Sequence, residues 1–82
     1  MTSGRSTSDE TPNNLTDREL EVVLLIVQGL TNREIADRLG ISRRTVHAHV
    51  TQALRKTGRR SRTQLAVLAL RKGWAPLEAD DA

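Results

Sequence analysis

Gly29, Gly40, Gly58 and Gly73 cut the middle of this chain into four short stretches, each with helical patterning, and this limits it to short helices packed together. Leu15-Thr16-Asp17-Arg18-Glu19 announces the first. Thr16 is a good N-cap, Glu19 stands at the third position after it to complete a capping box, and Leu15 can staple onto the first turn. Asp17, Glu19 and Glu21 suit the positive end of a helix dipole. This helix is predicted to run to about Gln28 with Val22, Val23, Leu25 and Ile26 inward, stopped by Gly29. Thr31 and Glu34 repeat the capping box for a second helix whose narrow apolar face is Ile35, Ala36 and Leu39. Gly40 ends it by supplying positive φ in a tight turn with Ile41. Ser42 caps a third helix over 43–57, where Val46, Val50, Ala53 and Leu54 fall at i, i+4, i+7 and i+8. After Arg59-Arg60-Ser61 a fourth runs from about Arg62 to Lys72, with Ala66, Ala69 and Leu70 expected to face the bundle. No alternating strand pattern occurs. The fold class is all-α: a four-helix bundle containing a helix-turn-helix.

With 82 residues the chain has room for one small domain. Residues 1–14, rich in Ser, Thr and Asn, read as a disordered arm or linker. Residues 15–74 form the domain, and 75–82 read as an acidic flexible tail. Cys is absent, and the two histidines alone cannot build a zinc centre, so no metal or cofactor is expected. No apolar run approaches the roughly 20 residues of a membrane span. Met1 to Asn14 is too polar for a signal peptide, which makes the cytoplasm the expected location. A single Trp, with no Phe or Tyr, argues against modules that stack unpaired bases on aromatic platforms. No acid/base pair, nucleophile constellation or phosphate-cradling loop appears, so the chain does not read as an enzyme. No receiver or ligand-sensing domain is recognisable, which leaves a solo domain or a fragment of a larger regulator.

The net charge of +3 hides a segregation. Residues 31–73 hold eleven Lys or Arg against only Glu34 and Asp37, a block of +9 flanked by segments of −3 on either side. A basic block of this kind is the footprint of a polyanion partner. Together with two helices joined by a tight turn it points to double-stranded DNA.

The third helix is the one placed to enter a groove about 12 Å wide. Removing its core stripe leaves Arg43, Arg44, His47, Ala48 and Thr51 facing outward as candidate base readers, with the Ala48 methyl suited to thymine. His49 points partly toward the bundle. Thr31 and Asn32, at the start of the second helix, are placed for a phosphate. Thr45, Arg55, Lys56, Arg60, Arg62 and Thr63 complete the candidate phosphate set. Trp74 reads as core or edge packing against the first helix. Leu20, Leu24 and Val27 form an apolar stripe opposite that helix's inner face. It either packs under a terminal segment or docks a partner.

Leu15-Thr16-x-Arg18-Glu19-x-Glu21-Val22, Gly29-Leu30-Thr31-Asn32-Arg33-Glu34-Ile35-Ala36 and Ile41-Ser42-x-x-Thr45-Val46-x-x-His49-Val50 stand in one register, followed by Arg55-Lys56-x-Gly58 and Arg60-Ser61-Arg62-Thr63-Gln64. Over residues 15–74 this resembles the LuxR/FixJ/GerE-type DNA-binding domain. The resemblance implies transcription regulation, a third helix that reads the major groove with His47 and Thr51 at base-reading positions, and a dimer contact through the fourth helix. That contact would use Gln64, Val67, Leu68 and Arg71, making the chain a homodimer on paired half-sites. If the stripe of Leu20, Leu24 and Val27 docks a partner, the expected one is an upstream regulatory domain, RNA polymerase or a second copy. Three departures stand out: His47 where Lys is usual, Thr57 and Arg59 at usually apolar positions, and Leu20 and Leu24 at often polar ones. Two other readings remain open: a sigma-factor region-4-like promoter module, and a protein-interaction adaptor that keeps the fold. Loss of basic residues would mark the adaptor, and the +9 block argues against it.

Overall fold

The computed structural model describes residues 14–74. Of the arm expected over 1–14 all but Asn14, and the whole of the tail expected over 75–82, lie outside them. Four helices follow in order: α1 (Asp17–Val27), α2 (Asn32–Leu39), α3 (Arg43–Thr57) and α4 (Arg62–Arg71).

The start signals act as the side chains dictate. The Thr16 and Thr31 hydroxyls accept from the N–H groups of Glu19 and Glu34, at 3.0 and 3.1 Å. Both glutamates reach back to the cap N–H, at 2.9 and 2.8 Å, closing two capping boxes. Ser42 accepts from the Thr45 N–H at 3.0 Å, and Ser61, which the sequence reading treated as loop, caps α4 by accepting from the Gln64 N–H at 3.1 Å. Each such cap contributes about 1 kcal/mol. Gly40 takes φ 70 and ψ 34, and its N–H and that of Ile41 both return to the Ala36 carbonyl. That left-handed residue lets α2 stop and α3 start within a three-residue turn.

One core unites the helices. Val22, Val23, Leu25 and Ile26 of α1 are buried, as the periodicity predicts, with Leu15 stapled beneath them. Ile35 and Ala36 of α2 and Val46, Val50 and Ala53 of α3 are buried too, with Leu39 and Leu54 packed at the edge. On α4 the inward face is rotated from the expected one. Leu65 and Ala69, four residues apart, are fully covered, whereas Ala66 is packed only partly and Leu70 is half-buried. The sequence pattern on α4 is apolar almost all round, so periodicity alone could not choose the stripe. Leu20 and Val27 are half-buried against the core, and Leu24 is half-buried as well, so two members of the supposed outer stripe belong to the bundle's flank. Trp74 packs against the same core.

Thr57, at a position where an apolar residue is usual, keeps α3 intact by donating its hydroxyl to the Ala53 carbonyl at 2.8 Å. The polar group is thereby satisfied within its own helix.

Candidate nucleic-acid interface

The outer face of α3 follows directly from its inner one. With Val46, Val50 and Ala53 against the core, Arg43, Arg44, His47, Ala48 and Thr51 are all exposed. At 100° per residue these five and Arg55 occupy an arc of about 140°, a single groove-facing surface. His49 is half-buried and stands apart from them.

The eight candidate phosphate residues divide into those with free polar groups and those already engaged. Thr63, Arg55 and Arg60 are exposed with side chains bonded to no described neighbour. The hydroxyls of Thr31 and Thr45 serve the helix starts, Thr31 on the Glu34 N–H and Thr45 with the Ser42 hydroxyl at 2.9 Å. Asn32 and Arg62 bond one another: the guanidinium donates to the Asn32 side-chain oxygen and, at 2.7 Å, to the Leu30 carbonyl. Arg62 therefore braces the start of α4 against the start of α2.

Lys56 is engaged within the fold while remaining at the surface. Its ammonium donates to Glu19 Oε1 at 2.7 Å and to the Asn14 carbonyl at 3.2 Å, so part of its charge is matched inside the protein. The reason is Glu19. Only 5 % exposed, this carboxylate sits on the inner face of α1, three residues before Val22 and four before Val23, and a buried charge needs a partner. Its place on the apolar face was legible in the sequence. The identity of its cation, 37 positions away, was not.

Burial pushes the Glu19 carboxyl up. The hydrogen bond from Lys56, the Thr16 N–H and the charges of Lys56 and His49 outweigh it and hold the group below the usual glutamate value. A carboxyl depressed in the folded state lends stability that is complete above its unfolded value, about 4.3, and is lost as pH falls through the folded value. Urea titrations at pH 7 and pH 3 test this. The native chain should lose more stability between the two than a Glu19→Gln variant; equal losses would show that the pair has no share in the acid limb.

Residues 13–69 match the family described as "Bacterial regulatory proteins, luxR family". The chain belongs to that family. This luxR-type chain is 42% identical over 67 residues to the nitrate/nitrite response regulator protein NarL of Escherichia coli K12, 82% of its own length but 31% of NarL. It is 48% identical over 58 residues to the transcriptional regulatory protein LiaR of Bacillus subtilis, covering 71% of itself and 28% of LiaR. It is 45% identical over 58 residues to the oxygen regulatory protein NreC of Staphylococcus aureus JH9, again 71% of itself and 27% of the relative. The chain thus spans about a third or less of the curated relatives it matches. The luxR-type helix-turn-helix is a DNA-binding unit of transcription regulation.

Proposed function

We propose that this chain binds duplex DNA in a sequence-specific manner, with α3 in the major groove, as a dimer whose α4 helices meet across a twofold axis. The observation that carries the reading is the single exposed arc of Arg43, Arg44, His47, Ala48 and Thr51, presented immediately after the Gly40 turn. Arg55, Arg60 and Thr63, with the backbone at the start of α2, supply phosphate contacts that fix the register. Asn32 and Arg62 act as a pair, positioning that corner. Nothing in this reading calls for a catalytic step. By its likeness to the response regulator NarL, the chain acts as a DNA-contacting unit in transcription regulation, with RNA polymerase or an upstream regulatory domain as further partners. Membership of a DNA-binding family supports action in the cytoplasm, and no helix among the described residues is long and apolar enough to cross a membrane.

A random-pool selection gives the operator, and substitutions then test the face. His47→Ala and Thr51→Ala should each lower discrimination between operator and random DNA by about 1–3 kcal/mol, the worth of a good base contact. Equal weakening on both kinds of DNA would make His47 a backbone contact.

The dimer rests on Val67, the one exposed large hydrophobic among the described residues at 43% exposure, with Gln64, half-buried Leu68 and Arg71 around it. Two such faces joined about a twofold axis would set the α3 helices about one DNA turn apart. Val67→Glu should leave the monomer folded and abolish cooperative binding to a palindromic site in gel-shift titrations; unchanged cooperativity would rule this interface out.

A further inference from the structure

Along its outward side α4 borders an open groove of about 890 Å³. Arg59 and Arg60 lie at one end of it and Arg71 and Lys72 at the other, with Val67 and Leu68 between them. None of these four cations has a carboxylate within 4.0 Å among the described residues. Of the four, Arg60 alone belongs to the phosphate set, so Arg59, Arg71 and Lys72 carry charge that DNA contact does not use. At the centre stands Val67, 43% exposed. A helix of ten residues is roughly 15 Å long, which sets the two cationic pairs about three helical turns apart.

We propose that this groove docks an acidic amphipathic helix of a partner protein. Carboxylates in two of its turns, about 15 Å apart, meet the Arg59–Arg60 and Arg71–Lys72 ends, and an apolar residue between them covers Val67 and Leu68. Charge and spacing choose the occupant. Cations this far apart cannot share one small anion. A phosphate backbone would meet the charges but leave Val67 uncovered. A second copy would bring its own four cations against these four, and like charges set face to face disfavour a partner. On DNA the half-sites hold two copies close enough to share the face; in the free chain an acidic helix is the better match. Exposed ion pairs are individually weak and screened by salt. The apolar centre therefore supplies the attraction, while the charged ends set register and partner choice. A helix seated here excludes a second copy and so acts as a brake on paired binding to DNA. That last consequence rests on the dimer reading above; the docking itself does not.

The probe is a synthetic alanine-based helix of about sixteen residues, long enough to span the groove at about 1.5 Å per residue. It carries glutamates in its first and last turns and leucines in the middle. Titrated into the isotope-enriched full chain at low salt, it should shift the amide signals of Val67, Leu68 and Arg71 to saturation. A peptide of the same composition, with leucines at the ends and glutamates in the middle, should bind about tenfold more weakly. Arg71→Glu/Lys72→Glu should also weaken binding about tenfold, and a peptide with lysines in place of glutamates at one end should recover it. Equal binding of the rearranged peptide would reduce the contact to unspecific charge attraction and overturn the proposal. Shifts centred on Arg43 to Thr51 would overturn it too, since the peptide would then sit on the DNA face. So would an Arg71→Ala/Lys72→Ala chain whose binding to a single half-site has a shallower salt slope, because phosphates would then hold that end of the groove. If the peptide takes the groove yet leaves cooperativity on a palindromic site untouched, the docking site stands and the dimer face falls. If Val67→Glu abolishes cooperativity while the peptide fails to bind, the docking site falls and the dimer face stands.

Discussion

Raising salt from about 50 mM to about 200 mM should weaken operator binding by a dimer of this chain by about 10³-fold. The figure comes from the cations that the fold leaves free. Arg43, Arg44, Arg55 and Arg60 are exposed, whereas Lys56 and Arg62 are bonded within the domain. Counting roughly three phosphate contacts per monomer gives a slope of log affinity against log salt near −5, since each neutralised phosphate releases close to one counterion. The composition alone, with eleven basic residues in one block, would overstate that slope. Two variants separate free charge from matched charge. Arg60→Ala should reduce the slope by about one contact per monomer, while Lys56→Met should leave it unchanged and instead lower the melting temperature, because Glu19 is then buried without its cation. A Lys56 variant with the shallower slope would return Lys56 to the phosphate set. A native slope near zero would favour an adaptor working through protein contacts.

Leu65→Ala should come close to unfolding the domain. Leu65 is fully covered in a bundle of about sixty residues, and a truncation of this kind costs about 2–5 kcal/mol. Total stability for such a size is roughly 3–9 kcal/mol, so the loss takes a large share of it and should lower the melting temperature by 10 °C or more, on the order of 4–8 °C for each kcal/mol. Val67→Ala, two positions along the same helix but 43% exposed, should change stability by less than about 0.5 kcal/mol. Thermal melts of the two variants decide which side of α4 is core. Similar melting temperatures would mean that α4 is not anchored by Leu65.

The contrast between those two residues also marks where the sequence stopped being legible. Helix limits came through because they are written in local chemistry: Thr16 with Glu19, Thr31 with Glu34, and the left-handed Gly40 each act within a few residues of themselves. The inner faces of α1, α2 and α3 were legible because polar and apolar positions alternate with helical period. On α4 they do not, and only packing against α1 and α3 selects Leu65 and Ala69. The exposed arc of α3 could be found by subtracting its core stripe. The roles of Lys56 and Arg62 could not, since a lone basic side chain reads the same whether it meets a phosphate, a buried glutamate or the carbonyl of Leu30.

The clasp of Arg62 on Asn32 and Leu30 makes the domain behave like a caliper. In a dimer joined through α4, the jaw that touches DNA cannot swing independently of the hinge, because one guanidinium fixes the beginning of the hinge helix to the beginning of α2. The gap between the two jaws is then set by the hinge and not by the DNA. Operators whose half-sites are moved by even one base pair, which rotates them by about a tenth of a helical turn, should be rejected by the intact protein and accepted more readily by one whose clasp is opened with Arg62→Ala.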